Sequence, residues 1–277
     1  MVKIVSDSSS LYTTEEGQKV GLAAIPLCIN IGDLQGRDLQ IDMAEFYERI
    51  QKGQIPTSSQ PPIGEVLEVY EVFADADIIN ITMADGLSGT YQTACAAKEM
   101  AANKDHITVF NSMTLCGPQR YLVDHALEME RVGSGVKEIV DWLETASKKS
   151  ESFLIPQDFS FLRRGGRLTP VAATVGSLLK LKPILQLTKD GMRLDKFGIK
   201  RTMTSAVSSI IKYLGGVQLG EQHLMYISHA DAYRDAIHIK ELFETAFPKL
   251  EVRLLELGAA FVTQGGPQCI AIQYIER

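Results

Sequence analysis

Short apolar runs alternate with amphipathic helical stripes through the first 150 residues, and no other feature of the chain restricts its fold as strongly. Residues 3–5 read as a strand, and Thr13 with Glu16 then has capping-box spacing at a helix start. The apolar run 22–31 reads as a second strand. Asp42 with Glu45 repeats the capping signal, and Met43, Phe46, Tyr47 and Ile50 fall at i, i+3, i+4 and i+7, one face of a helix that ends near Gly53. Pro62 suits a first helical turn, and Val66, Val69, Tyr70 and Phe73 form the stripe behind it. Strands are expected at 77–82 and 107–110, and helices at 91–102, 118–131 and 136–147.

Strands separated by helices require crossover connections, which give a mainly parallel sheet covered on both faces. Ligands of such sheets bind beyond the carboxyl ends of the strands. The Ser6-Asp7-Ser8-Ser9-Ser10 turn and the Gly86-Leu87-Ser88-Gly89 turn both follow strands, so they are expected at that rim. After about residue 151 the pattern changes. Two strands around an Asp190-Gly191 turn read as a hairpin, followed by a helix at 204–214, strands at 223–227, 252–257 and 269–274, and a helix at 231–247. The expected fold class is therefore α/β, with an N-terminal, mainly parallel-sheet α/β domain over 1–151 and a C-terminal α+β domain over 152–277.

Composition narrows the function. A net charge of -6 gives no sequence-independent attraction to nucleic acid or to an anionic membrane surface. Apolar stretches are broken by charge or proline well short of the ~20 residues a spanning helix needs, so no stable membrane insertion is expected. The first residues lack an export signal, and a cytoplasmic location is expected. Cys28, Cys95, Cys116 and Cys269 have no C-x-x-C spacing, and the five histidines are scattered, so neither a metal site nor a redox pair is expected. His229, at a strand end, reads as a structural histidine.

Two hydroxyl-rich segments carry the chemistry, Thr57-Ser58-Ser59-Gln60-Pro61-Pro62 and Gly86-Leu87-Ser88-Gly89-Thr90-Tyr91-Gln92. Each precedes a helix, where backbone N–H groups and hydroxyls can converge on an oxygen-rich group such as a carboxylate, phosphate or carbonyl. Plain N-capping by these serines is the alternative. The G-x-S-x-G spacing of a hydrolase elbow is absent, and Gly86 with Gly89 supplies only a fragment of a dinucleotide-binding G-x-G-x-x-G. A hydrolase or phosphotransferase using Ser58 or Ser88 is a competing class, without a neighbouring base to support it. A second cluster, Arg163, Arg164 and Arg167 with Lys180, Lys182, Lys196, Lys200 and Arg201, suits a phosphate or an acidic partner surface.

Four motifs in order, Pro56-Thr57-Ser58-Ser59-Gln60-Pro61, Leu87-Ser88-Gly89-Thr90-Tyr91-Gln92, Leu162-Arg163-Arg164-Gly165-Gly166-Arg167-Leu168 and Ser177-Leu178-Leu179-Lys180-Leu181-Lys182-Pro183, resemble the DegV family of bacterial fatty-acid-binding proteins. The resemblance spans essentially the whole chain. It implies a non-catalytic, two-domain protein that buries one long-chain fatty acid, such as palmitate or oleate, in a tunnel between its domains. No cofactor is implied. It also implies that a separate fatty acid kinase phosphorylates the presented carboxylate to an acyl phosphate for phospholipid synthesis; a lipid sensor or store without a kinase is the variant of this reading. Carried over by motif, Ser58 and Ser88 hydrogen-bond the carboxylate, and Arg163, Arg164, Arg167, Lys196, Lys200 and Arg201 become candidates for kinase docking. Two positions depart from the family pattern. Ser58 stands where many members have threonine, and Gln264 stands where many have a histidine against the carboxyl group. An amide donates a hydrogen bond but neither becomes a cation nor relays a proton.

Overall fold

The computed structural model describes residues 1–174 and 181–277, which divide into two units, Met1–Lys148 with Gly258–Ala260, and Lys149–Leu257 with Phe261–Arg277. The first unit runs β1 (Val2–Asp7), α1 (Thr14–Val20), β2 (Ala23–Ile25), β3 (Cys28–Ile31), β4 (Leu34–Arg37), α2 (Met43–Gln51), β5 (Pro56–Ser59), α3 (Ile63–Val72), β6 (Asp77–Thr82), α4 (Thr90–Met100), β7 (Ile107–Asn111), α5 (Cys116–Arg131) and α6 (Val136–Ala146). Among the described residues, a parallel sheet is ordered β2-β1-β6-β7. This is the expected mainly parallel sheet. The capping box at α1 forms in both directions, Glu16 N–H to Thr13 Oγ1 at 3.1 Å and Thr13 N–H to Glu16 Oε2 at 3.2 Å.

The run 22–31 is not one strand. Pro26 has no N–H to give a ladder, and the chain breaks there. β2 stays in the parallel sheet, while β3 leaves it to form a separate antiparallel sheet ordered β4-β3-β5. The Thr57-Ser58-Ser59 segment is likewise a strand, β5, rather than a turn.

The second unit runs β8 (Ser150–Ile155), α7 (Phe159–Gly165), α8 (Pro170–Ala173), β9 (Lys182–Leu187), β10 (Leu194–Lys200), α9 (Met203–Leu214), β11 (His223–His229), α10 (Tyr233–Ala246), β12 (Glu251–Glu256), α11 (Ala259–Gly265) and β13 (Ile270–Glu276). Its sheet is ordered β10-β9-β8-β13-β11-β12, antiparallel except for the β11–β12 pair, as an α+β domain requires. The β9–β10 hairpin turns at Asp190-Gly191, where Gly191 takes φ +69°. α9 and α10 bury their stripes on one sheet face with Phe153, Ile155, Met225, Ile227 and Ile272. A smaller cluster of Leu162, Leu168, Ala172 and Leu185, joined by Leu154, holds α7 and α8. Residues 177–180 of the fourth motif, Lys180 included, lie outside the described residues. No helix among the described residues is long and apolar enough to cross a membrane.

Candidate functional site

Ser58 is placed by the register of β5. It pairs with Ile29 of β3 and is half-buried, whereas its neighbours Thr57 and Ser59 point to the opposite, exposed face. It does not cap α3, whose start at Pro62 has no side-chain cap. Ser88 lies in the turn that leaves β6 and enters α4, also half-buried. Its Oγ lies 2.8 Å from Thr90 Oγ1 and accepts the Thr90 N–H at 3.3 Å. Ser88 Oγ is thus partnered by a hydroxyl and an amide.

The two hydroxyl segments adjoin. Gln60, two residues beyond Ser58, lays its carboxamide over Gly89, 3.2 Å from where a Cβ would stand, so a side chain at position 89 would require the Gln60 carboxamide to give way by a few tenths of an ångström. Thr93 N–H bonds Gly89 O at 2.9 Å, which places Gly89 at the head of α4. The first turn of α4, with its inward-facing N–H groups, therefore opens beside Ser88. The segment of Ser58 and the turn of Ser88 are thus neighbours through Gln60 and Gly89.

The Ser6–Ser10 segment is at the strand end where it was expected. It is packed into a buried polar network. Asp7 accepts from Ser9 N–H at 2.9 Å, from Met83 N–H at 2.8 Å and from the Ser9 hydroxyl. Ser9 Oγ also lies 2.5 Å from Gln119 Oε1, Gln119 Nε2 donates to Ser6 Oγ at 3.2 Å, and Ser6 Oγ donates to Ile81 O at 2.7 Å. Asp38 accepts from Ser8 Oγ at 2.8 Å and Ala260 N–H at 3.0 Å. Burial pushes the carboxyl of Asp38 up to about 6 against these hydrogen bonds, and burial raises Asp7 too. Sequence reasoning missed Asp38 and Gln119. Neither sits in a motif, and their partners are distant in sequence, 30 and 222 residues for Asp38 and 110 and 113 for the serines on Gln119.

Gln264 is in the second unit, on α11. Its Nε2 donates to Thr263 Oγ1 at 3.2 Å, and its Oε1 is buried without a hydrogen-bond partner. The basic residues occupy the same unit. Arg163 and Arg164 are exposed in the last turn of α7, with Arg164 stacked 4.6 Å from the Phe161 ring centroid and bonded to Ser160 Oγ at 3.0 Å. Arg167 bonds Gly165 O through Nη1. Its own carbonyl accepts Leu194 N–H at 2.8 Å, which sets it at the start of β10, the strand of Lys196 and Lys200; Arg201 follows that strand.

His229 is buried at the end of β11 and accepts Ala232 N–H at Nδ1 over 3.4 Å, and desolvation lowers its pKa. The neutral, acceptor role is structural. None of the four cysteines forms a disulfide, and the described residues hold no cluster of His, Cys, Asp and Glu suited to a metal ion.

Comparison with known proteins gives a consistent result. The family model described as the DegV family matches residues 1–277. Protein DegV of Bacillus subtilis is 31% identical over 277 residues, covering 98% of each chain. The crystal structure of that protein, described as a fatty acid binding protein, superposes with a TM-score of 0.86 at 30% identity, covering 100% of this chain and 99% of the other. A DegV family protein from Thermus thermophilus, described by its fatty acid binding, superposes with a TM-score of 0.88 at 25% identity, again covering 100% and 99%.

Proposed function

The chain belongs to the DegV family, and we propose that it binds one long-chain fatty acid, with Ser58 and Ser88 donating hydrogen bonds to the carboxylate and Gln264 acting as a third, amide contact. The observation that supports this most is the junction of the two hydroxyl segments, where Gln60 over Gly89 holds a half-buried Ser58 strand against the Ser88 turn. Family members described as fatty acid binding make a carboxylate the natural headgroup.

Neutral donors fix direction more than they supply affinity. A net hydrogen bond contributes on the order of 1 kcal/mol. Each buried methylene contributes ~0.8 kcal/mol, so a palmitoyl or oleoyl chain dominates binding. The protein does no chemistry on the acid. It presents the carboxylate to a separate fatty acid kinase for acyl-phosphate formation in phospholipid synthesis, with Arg163, Arg164, Arg167, Lys196, Lys200 and Arg201 as the docking face, and it works in the cytoplasm where that kinase would meet it.

Titration of palmitate and of oleate into lipid-stripped protein tests the binding. One site per chain with sub-micromolar to micromolar affinity is expected, against no response to a short acid such as butyrate. Equal response to butyrate and oleate, or none to either, overturns the reading.

A further inference from the structure

Gly165 ends α7 without a side chain, and the space a side chain would take is already filled. A Cβ there would fall 2.0 Å from Gln264 Oε1 and 3.2 Å from its amide carbon. The carboxamide therefore lies directly against the α7 backbone, held on its other edge by the Nε2 bond to Thr263 Oγ1 at 3.2 Å. A second close approach runs the opposite way. Gly266, at φ +76° just beyond α11, leaves room for the Phe161 ring of α7, whose Cδ2 is 3.0 Å from the position a Cβ would occupy. α7 and the end of α11 thus meet twice, each time across a missing side chain, and all four residues belong to the second unit.

We infer that Gly165 is a positioning residue for the Gln264 carboxamide, so that the turn carrying Arg163, Arg164 and Arg167 and the amide that faces the fatty acid headgroup move as one piece. The inference deepens the proposed binding site and rests on Gln264 contacting the carboxyl group. A glutamine side chain has three rotatable bonds, and freedom left in them is lost on binding. A seat that fixes the carboxamide beforehand removes part of that loss. The seat holds the carboxamide by shape on its oxygen edge, and the Oε1 has no hydrogen-bond partner among the described residues. Arg167 bonds the carbonyl of the same Gly165, tying a guanidinium to the seat.

The geometry separates function from stability in a single substitution. Gly165 lies inside α7 and outside the left-handed region, so alanine is accepted by the backbone and favours the helix. The new methyl collides only with the far end of a flexible side chain, so Gln264 swings aside and the fold is kept. Oleate affinity is measured for the wild type, Gly165→Ala, Gln264→Ala and the double variant, along with the melting temperature of each ligand-free protein. Loss of one amide hydrogen bond predicts an affinity about three- to ten-fold weaker in Gly165→Ala, with a melting temperature unchanged or raised, and no further loss when Gly165→Ala is added to Gln264→Ala. Equal affinity of Gly165→Ala and wild type overturns the inference, as does the same loss from Gly165→Ala in both backgrounds. Wild-type protein that binds no fatty acid overturns the proposed function and the positioning role together. In that case the seat itself is still read from the Gln264 side-chain amide resonances, which shift in Gly165→Ala if the carboxamide is displaced and stay fixed if it is not.

Discussion

A hydroxyl donating to a charged acceptor is worth about 1.5–3 kcal/mol, and one already shared with a neighbour is worth less. Ser88 shares its Oγ with Thr90, and Ser58 sits on the half-buried face of β5. Ser58→Ala and Ser88→Ala are each expected to weaken oleate binding about ten-fold with the fold retained, read by calorimetric titration; an unchanged affinity removes that serine from the site. The buried Asp38, bonded to Ser8 and Ala260, behaves differently. A carboxyl that titrates near 6 in the fold and near 3.8 when unfolded holds its proton more tightly when folded. Its stabilising contribution is complete below about pH 4 and is lost as pH rises through about 6, for at most about 3 kcal/mol. Melting temperature should therefore fall across that window, and Asp38→Asn, which keeps the shape without the charge, should flatten the fall. A variant with the wild-type pH profile would contradict this account of Asp38.

At the scale of elements, a buried polar contact links β6 to α3, Asn80 Nδ2 donating to Tyr70 OH at 2.8 Å, while that hydroxyl reaches Ala94 O of α4 at 3.4 Å. Tyr70→Phe leaves the Asn80 amide buried without its acceptor, and an unfolding free energy lower by about 1–3 kcal/mol is expected in urea titration; a loss under 0.5 kcal/mol would mean that the amide finds another partner. Elements with a strong local code were legible in the sequence. The helices opened by Thr13 with Glu16 and by Asp42 start where their caps do, and the apolar run of β6 is a strand as read. β5 was not legible, because Pro56-Thr57-Ser58-Ser59 has neither alternation nor bulk, and its strand state comes from pairing with β3. The break at Pro26 sends two halves of one apolar run to two different sheets, a tertiary choice that local hydrophobicity does not record. The site divides the same way. Ser58 and Ser88 stand out by type and position, whereas the Gln60 contact on Gly89 and the Gly165 seat are spaces left by absent side chains, which a sequence does not display.

For the whole molecule, the proposed docking face rests on the guanidinium groups that an acidic chain concentrates on α7 and its following turn. Arg167→Glu and Arg201→Glu are expected to keep oleate affinity and to slow acyl-phosphate formation by a cognate kinase at least ten-fold, with an effect that weakens as salt is raised. Undiminished phosphorylation would take docking away from this face. The central claim is that the chain carries a fatty acid, and what a purified sample contains tests it most directly. Protein denatured and extracted into organic solvent should release close to one long-chain fatty acid per chain by mass spectrometry, and less from Ser58→Ala/Ser88→Ala. Extracts with no stoichiometric fatty acid, from protein that also takes up no added palmitate or oleate, would contradict it.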